Sequence, residues 1–291
     1  MDGELLGALY HRLFHDPSFA RTPNCTFVDA PILFIYFFAV LNNQSTHWAI
    51  DKQHWPLWCR RLKFPSYSQL RRRLNNASTQ QHIDRLNAEF RDRLPRSGDK
   101  IADGKPLVVG GYSKDPDAKP GKIPDGWGKG YKLHAVADSL GAIDDFEITA
   151  LDAGEATVMR RLVERMNLSG CILRADANYD SNPLYRAVHD LGGRLIAPRR
   201  KPGTGLGHHP QHPDRLMAIA ELEGDRQCLQ QHKRYRVRVE QRFAHLTNLS
   251  FGLWALPNSV RRLHRVRLWI KAKIMLYHLH LALQHRRALA A

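Results

Sequence analysis

The hydrophobic pattern of this 291-residue chain changes once, around Pro95 to Asp99, where proline, serine and glycine interrupt it. Before this point apolar residues recur at helical spacing, as in Leu5, Leu9 and Leu13. After it, several segments have the pattern of strands. The change predicts an all-helical N-terminal domain over residues 1–95 and a second domain over residues 96–291.

The second domain is predicted to be α/β. Its first three strands follow one another, and the second and third are joined by the short turn Ser139-Leu140-Gly141. The remaining two strands alternate with helices, so the sheet should be mixed, five-stranded and flanked by helices. The predicted strands cover residues 105–111, 130–138, 142–151, 171–173 and 194–197, and the predicted helices between them cover 155–167 and 181–191.

The C-terminal part is predicted to contain a long loop and two basic helices. Residues 198–225 begin with a stretch rich in proline, glycine and histidine and are interpreted as the loop. His208, His209 and His212 have no matching ligand cluster elsewhere, which argues against a metal site in the loop. The helices are predicted over residues 226–249 and 260–287.

Positive charge is concentrated at the C-terminal end. The whole chain has 44 Lys and Arg against 28 Asp and Glu, a net charge of +16, and residues 226–291 contain 14 of the cations with Glu240 as their single acid. Such a surface binds phosphates independently of sequence and in a salt-dependent way, so double-stranded DNA is the expected partner. A solvated basic helix face is the alternative.

No membrane association is expected. The start of the chain lacks a basic region followed by an apolar one, and the most apolar segment, residues 32–41, is too short to span a bilayer. The four cysteines form no CxxC pair, which argues against a zinc cluster or a disulfide framework. The protein is therefore expected to be cytoplasmic.

Three acids lie where secondary structure would let them meet. Asp103 lies just before or within the first strand, Asp176 follows the short strand 171–173, and Glu240 is on the first basic helix. Carboxylates from three elements can hold hard cations such as Mg²⁺ or Mn²⁺, and two such ions support in-line displacement at a phosphate. Each acid also has a simpler interpretation: a turn residue, a strand end, and a partner of Arg236 one helical turn away.

Four segments in order resemble bacterial insertion-sequence transposases of the DDE class, which have an RNase H-like catalytic domain. The resemblance covers about residues 99–275 and depends on these segments: Asp103-Gly104-Lys105-Pro106-Leu107, Gly130-Tyr131-Lys132-Leu133-His134, Ala175-Asp176-Ala177-Asn178-Tyr179-Asp180, and residues 236–243.

The resemblance implies that Asp103, Asp176 and Glu240 are catalytic and bind two Mg²⁺ or Mn²⁺ ions, with Asp103 touching both. It implies a cut-and-paste transposase that nicks element ends, joins the freed 3′-hydroxyl to target DNA, and acts as a homodimer in a bacterial nucleoid-associated synaptic complex. It also implies that Arg236 is the family's signature arginine, four residues before the glutamate.

Two positions depart from the fullest form of the family signature. Lys233 replaces a tyrosine and Thr247 replaces a lysine. We predict that the helix around Glu240 still binds DNA phosphates, and the predicted contacts are Lys233, Arg236, Arg238 and Arg242. A catalytically inactive DNA-binding derivative and a metal-dependent RNase H-like nuclease are the alternatives.

Overall fold

The computed structural model describes residues 2–19, 27–206, 208–253 and 255–290. They group into two compact units: residues 1–94 together with 247–291, called the helical unit, and residues 95–246, called the sheet unit. The N-terminal helical region and the mixed α/β sheet predicted from the sequence are both confirmed. Among the described residues, no helix is long and apolar enough to cross a membrane.

The helical unit is built around a buried apolar helix. Every residue of α2 except Pro31 is buried, which is typical of a helix that is hydrophobic on all sides. The helices of this unit are α1 (Asp2–Phe14), α2 (Asp29–Leu41), the short α3 (Thr46–Ala49), α4 (Tyr67–Leu74), α5 (Ala77–Asp92) and α10 (Leu263–Ala290).

The C-terminal segment packs with the N-terminal helices, whereas the sequence analysis placed it in the catalytic domain. Helix α10 contacts α5, α2 and α1, because many of its apolar residues are buried along its length. Its Lys273, 2% exposed, donates to the carbonyl oxygens of Phe251 and Gly252 at 2.6 and 2.8 Å and to Asn43 Oδ1 at 2.5 Å. These bonds connect α10 to the chain segments that precede it and follow α2.

The described residues of the sheet unit form six strands, one more than expected. They are β1 (Asp99–Val109), β2 (Lys119–Ile123), β3 (Gly126–Asp138), β4 (Ile143–Ala150), β5 (Ile172–Arg174) and β6 (Arg194–Ile196). The order is β2-β3-β1-β5-β6, with β4 also paired to β3. Strands β1 to β4 pair antiparallel, and β1, β5 and β6 pair parallel, so the sheet is mixed as predicted.

The additional strand β2 has the sequence Lys-Pro-Gly-Lys-Ile, which is poor in strand-forming residues. It forms because it pairs with the first half of β3, from Lys119 opposite Gly130 to Ile123 opposite Gly126. Pro120 is tolerated because β2 is an edge strand, where a missing N–H leaves no ladder hydrogen bond unmade.

Four helices belong wholly or largely to the sheet unit: α6 (Glu155–Val163), α7 (Asn182–Asp190), α8 (Pro213–Gly224) and α9 (Arg226–Asn248). Helix α8 corrects the prediction of a loop over residues 198–225. His212 caps it by accepting the Asp214 N–H at 3.3 Å, Pro213 takes the first helical position, and Ala218 is among its buried residues. The structure therefore gives His212 a capping role.

Candidate active site

Asp103 lies near the middle of β1, opposite Ala135 of β3. Its side chain is partly exposed, and its Oδ1 accepts the N–H of Gly104 at 2.7 Å. Burial lowers the pKa of the neighbouring Lys105, and the negative charge of Asp103 opposes that shift. Asp103 is thus a strand residue with access to solvent, as a ligand for a hard cation requires.

Asp176 follows β5 at the height of Asp103. The parallel register pairs Ile101 with Arg174, and each aspartate is two residues further along its strand direction. Asp176 caps a short 3-10 turn by accepting the Asn178 N–H at 2.8 Å, and its side chain is partly exposed. Carboxyl ends of adjacent parallel strands are where open α/β sheets bind ligands.

Tyr179 lies close to both aspartates. It is fully buried, and burial together with the negative charges of Glu155, Asp103 and Asp176 raises its pKa well above the ordinary value. Its hydroxyl has no hydrogen-bond partner in the described part of the chain. The Tyr179 hydroxyl therefore lies within the field of all three acids.

Glu155, the first residue of α6, is an acid that the sequence analysis missed. Its Oε1 lies 2.5 Å from Lys132 Nζ on β3, and both side chains are less than one-fifth exposed. A Cβ built on Gly104 would lie 3.5 Å from both Glu155 Oε1 and the Tyr179 hydroxyl. Glu155 Oε1 and the Tyr179 hydroxyl therefore both lie beside the backbone of Gly104, next to Asp103.

The sequence carried only a weak signal for Glu155. An acid in the first turn of a helix is common, because it complements the helix dipole. Its pairing with Lys132 depends on where α6 lies against β3, and no local pattern encodes that placement. Tyr179 was part of a recognised motif, but its burial and proximity to the acids emerge only from the fold.

His134, in the same sequence motif as Lys132, has a structural role. It is fully buried, and its Nε2 lies 2.9 Å from Thr149 Oγ1. Burial lowers the pKa of His134 to about 4, with a further lowering contribution from the charge of Lys132. The imidazole is therefore neutral at pH 7 and holds β3 to β4.

Helix α9 contacts the sheet through Tyr235. The Tyr235 hydroxyl donates to Asp99 Oδ2 at 3.1 Å, and the Arg174 guanidinium lies 4.2 Å from the centre of the Tyr235 ring. Asp99 is the first residue of β1, and Arg174 is the last residue of β5. Tyr235 thus positions α9 against the β1–β5 pair, five residues before Glu240.

Glu240 and three of the predicted DNA contacts lie on α9, but their side chains lie outside the described residues. These contacts are Arg236, Arg238 and Arg242. The side chain of Lys233 is described and is exposed. The structure thus brings Asp103 and Asp176 together, and the position of the Glu240 carboxylate stays a prediction.

The described residues contain no group of three His, Cys, Asp or Glu side chains placed to hold a metal ion. The chemistry of the described donors nevertheless fits a divalent cation, since Asp103 and Asp176 offer carboxylate oxygens beside a buried, unpaired hydroxyl. Mg²⁺ prefers oxygen ligands and takes only one or two carboxylates from a protein.

A mixed sheet with Asp103 on β1 and Asp176 directly after the adjacent parallel strand β5, followed by a basic helix, fits the catalytic domain of the DDE transposase class. Residues 97–279 match the family described as the transposase DDE domain. The chain belongs to this family and is a DDE transposase. No curated protein shows significant similarity to it.

One solved structure shares the fold. It is a piggyBac transposase in a synaptic complex with hairpin DNA, and it superposes with a TM-score of 0.52. The two sequences are 12% identical, and the alignment covers 94% of this chain and 75% of the other. At this level of identity the match supports the shared fold.

Proposed function

We propose that this transposase nicks DNA at the ends of its own element and joins the freed 3′-hydroxyl to target DNA, with Asp103, Asp176 and Glu240 as catalytic residues. The observation that carries the proposal is the placement of Asp103 on β1 and Asp176 at the same height directly after the adjacent parallel strand β5, both close enough to raise the pKa of Tyr179. Two strands that pair directly hold their carboxylates in a fixed relation.

Asp103, Asp176 and Glu240 would hold two Mg²⁺ or Mn²⁺ ions. When bound, such ions activate the attacking oxygen and stabilise the leaving oxygen of an in-line displacement. Lys132 pairs with Glu155, and besides burial the negative charges of Glu155, Asp103 and Asp176 together raise the pKa of the Tyr179 hydroxyl. Opposite charge between these aspartates and a divalent ion would favour binding at this position.

The basic helix α9 would hold the phosphates of double-stranded DNA. Lys233 is exposed, and Arg236, Arg238 and Arg242 follow it on the same helix. A carboxylate site alone would repel a polyanion, and these cations offset that repulsion. Replacing Lys233 with glutamine should weaken binding of all sequences alike and lower the slope of log affinity against log salt by about one.

A homodimer is proposed for the synaptic complex, because two element ends must be cut and joined together. Native mass spectrometry of the protein with DNA carrying paired inverted ends would test it. Two protein copies per two ends are expected, and a single copy on each isolated end would contradict the dimer.

The catalytic assignment is tested by incubating the protein with DNA carrying its element ends and Mg²⁺ or Mn²⁺. The variants Asp103→Asn, Asp176→Asn and Glu240→Gln should each lower nicking by at least about 100-fold, since each removes a ligand of the metal that stabilises the transition state. The matched control is Asp125→Asn, an exposed acid between β2 and β3, which should nick like the wild type.

The products of the reaction distinguish the alternatives. Joining to a second duplex supports transposition, whereas cleavage of an RNA–DNA hybrid without joining supports a nuclease on the same fold. DNA binding without any metal-dependent nick would support an inactive binding derivative and would refute the proposed chemistry.

A further inference from the structure

A positively charged pocket lies in the sheet unit at the carboxyl end of β6. It is lined by residues of the loop 199–206 together with Asp180 and Arg215, and its volume of about 460 Å³ falls within the range of ligand sites. Strand β6 pairs in parallel with β5, so the carboxyl ends of both strands share one edge of the sheet. The pocket therefore lies at the sheet edge where Asp176 follows β5.

One wall of the pocket is held in place by Asp180, whose side chain is 1% exposed. Its two carboxylate oxygens accept from the Arg215 guanidinium at 2.6 and 2.7 Å, and Oδ2 also accepts the Arg200 N–H at 3.0 Å. Bidentate pairs of this kind are among the strong charge-assisted hydrogen bonds. Asp180, the one acid among the described residues that line the pocket, is thus paired with a cation and fixes the backbone of Arg200.

The loop that forms the other wall is closed by its own hydrogen bonds. Arg199 Nη1 donates to the Thr204 carbonyl oxygen at 2.6 Å, and its Nε and Nη2 donate to Glu223 on α8 at 2.8 and 2.7 Å. Gly203 has a φ of 77°, which glycine adopts without strain, and Thr204 Oγ1 donates to the Lys201 carbonyl oxygen at 2.9 Å. These bonds hold the loop in one shape, which lowers the entropic cost of binding a ligand.

Two cations of the pocket have no acid as a partner. Arg200 and Lys201 are exposed, and neither forms an ion pair with an acid in the described ranges. The other two cations, Arg199 and Arg215, are paired with acids. Accessible, unpaired positive charge in a preformed hollow suits a phosphate group, and a DNA strand offers one phosphate per nucleotide.

We propose that this pocket binds one backbone phosphate of the DNA strand that is nicked beside Asp103 and Asp176, through Arg200 and Lys201. The inference rests on the proposed transposase chemistry and adds a contact that sets where the strand lies. Neighbouring strands are about 4.8 Å apart, so β6 lies about 10 Å from β1 across the sheet. A DNA strand carries one phosphate per about 3.4 Å of helix axis, so the bound phosphate should lie within about five nucleotides of the nick.

The test scans the phosphates of a DNA duplex that carries the element end. Each duplex has one phosphate replaced by a neutral methylphosphonate, and its affinity for the full-length protein is measured by fluorescence anisotropy without a divalent ion. At one or two neighbouring positions within that distance of the nick, the wild type should lose affinity at least about fivefold, because the substitution removes the charge that Arg200 and Lys201 bind. Arg200→Gln and Lys201→Gln should each lose less than about twofold at the same positions, since the contact is already weakened.

The matched control is Arg186→Gln. Arg186 is an exposed arginine on α7 that does not line this pocket and pairs with no acid among the described residues. This variant should keep the wild-type sensitivity at those positions. Equal sensitivity of the wild type and both pocket variants at every position would overturn the pocket as a phosphate site, as would a loss of sensitivity in Arg186→Gln.

Free thymidine monophosphate offers the same phosphate chemistry without a DNA strand. At about 1 mM and matched ionic strength it should weaken DNA binding by the wild type less than about twofold, because it lacks the neighbouring contacts of the strand. A weakening of at least about fivefold that is absent in Arg200→Gln would assign the pocket to a free nucleotide and overturn the DNA strand as its ligand.

The proposed chemistry is tested separately on the same DNA with Mg²⁺. Asp103→Asn should lose nicking and keep the position-dependent loss of affinity. Nicking by the wild type without any position that depends on Arg200 and Lys201 would overturn the phosphate pocket alone. Such a position without nicking would overturn the catalytic proposal alone.

Discussion

Replacement of Lys100 by methionine tests how the start of β1, three residues before Asp103, is held. Lys100 Nζ lies 2.6 Å from Asp138 Oδ2 and 2.9 Å from Asp144 Oδ2, and all three side chains are at most 7% exposed. Removing one partner of a buried ion pair leaves an uncompensated charge and costs about 3–5 kcal/mol. Since Arg96 still pairs with Asp144 at 2.7 Å, we expect a loss of about 3 kcal/mol in the free energy of unfolding.

The loss should depend on pH. Burial alone would raise the pKa of Asp138, but hydrogen bonds from the Lys100 ammonium and from the Ser97 and Leu140 N–H groups lower it below the ordinary value. In the wild type the charged Asp138 carboxylate stabilises the folded protein at pH values above the pKa of the unfolded carboxyl. This stabilisation is lost as the pH falls through the lower pKa that Asp138 has in the folded protein. Without Lys100, burial favours the protonated carboxyl. The difference in free energy of unfolding between the wild type and Lys100→Met should therefore be smaller at pH 4 than at pH 7.

Urea unfolding followed by circular dichroism at both pH values measures this difference in the free energy of unfolding. The matched control is Lys122→Met on β2, an exposed lysine whose loss should change the free energy of unfolding by no more than about 0.5 kcal/mol. A deficit for Lys100→Met of less than about 1 kcal/mol at pH 7, or one that widens at pH 4, would refute the reasoning.

Three further substitutions have defined expectations. Tyr179→Phe should raise the free energy of unfolding by about 1 kcal/mol in chemical denaturation, because it removes a buried hydroxyl that has no partner among the described residues; a loss of that size would show that the hydroxyl is bonded. Lys273→Met should cost about 2–4 kcal/mol, since three acceptors lose their donor, whereas Lys271→Met on the same helix removes a partly exposed ion pair and should cost at most about 1 kcal/mol. Equal losses would contradict that distinction. Tyr235→Ala should speed hydrogen exchange in α9 relative to β1, and unchanged exchange would mean that other contacts hold the helix.

Local pattern was sufficient to predict most of the helices and strands. The apolar run that forms α2 and the hairpin of β3 and β4 both depend on neighbours in sequence. The placement of Asp176 directly after a strand also follows from a short apolar run, whereas Asp103 was expected just before or within the first strand and lies inside it. The predicted start of β1 was six residues late, because its first residues gain strand structure from β3 and β5.

Long-range pairing decided what the local pattern missed. Strand β2 forms through its pairing with β3. Helix α8 was not predicted, because the proline and glycine residues that precede it indicated a loop. The packing of α10 with α5 also depends on contacts between residues far apart in the chain. Such contacts carry no short-range sequence signal.

The sequence by itself determined the family and the basic helix that follows Asp103 and Asp176, because these depend on residue identity and spacing. Only the tertiary structure placed Glu155, Lys132 and Tyr179 beside Gly104 and the two aspartates. The physical reason is that strand register and helix packing set distances between side chains, and both are fixed by the whole buried core.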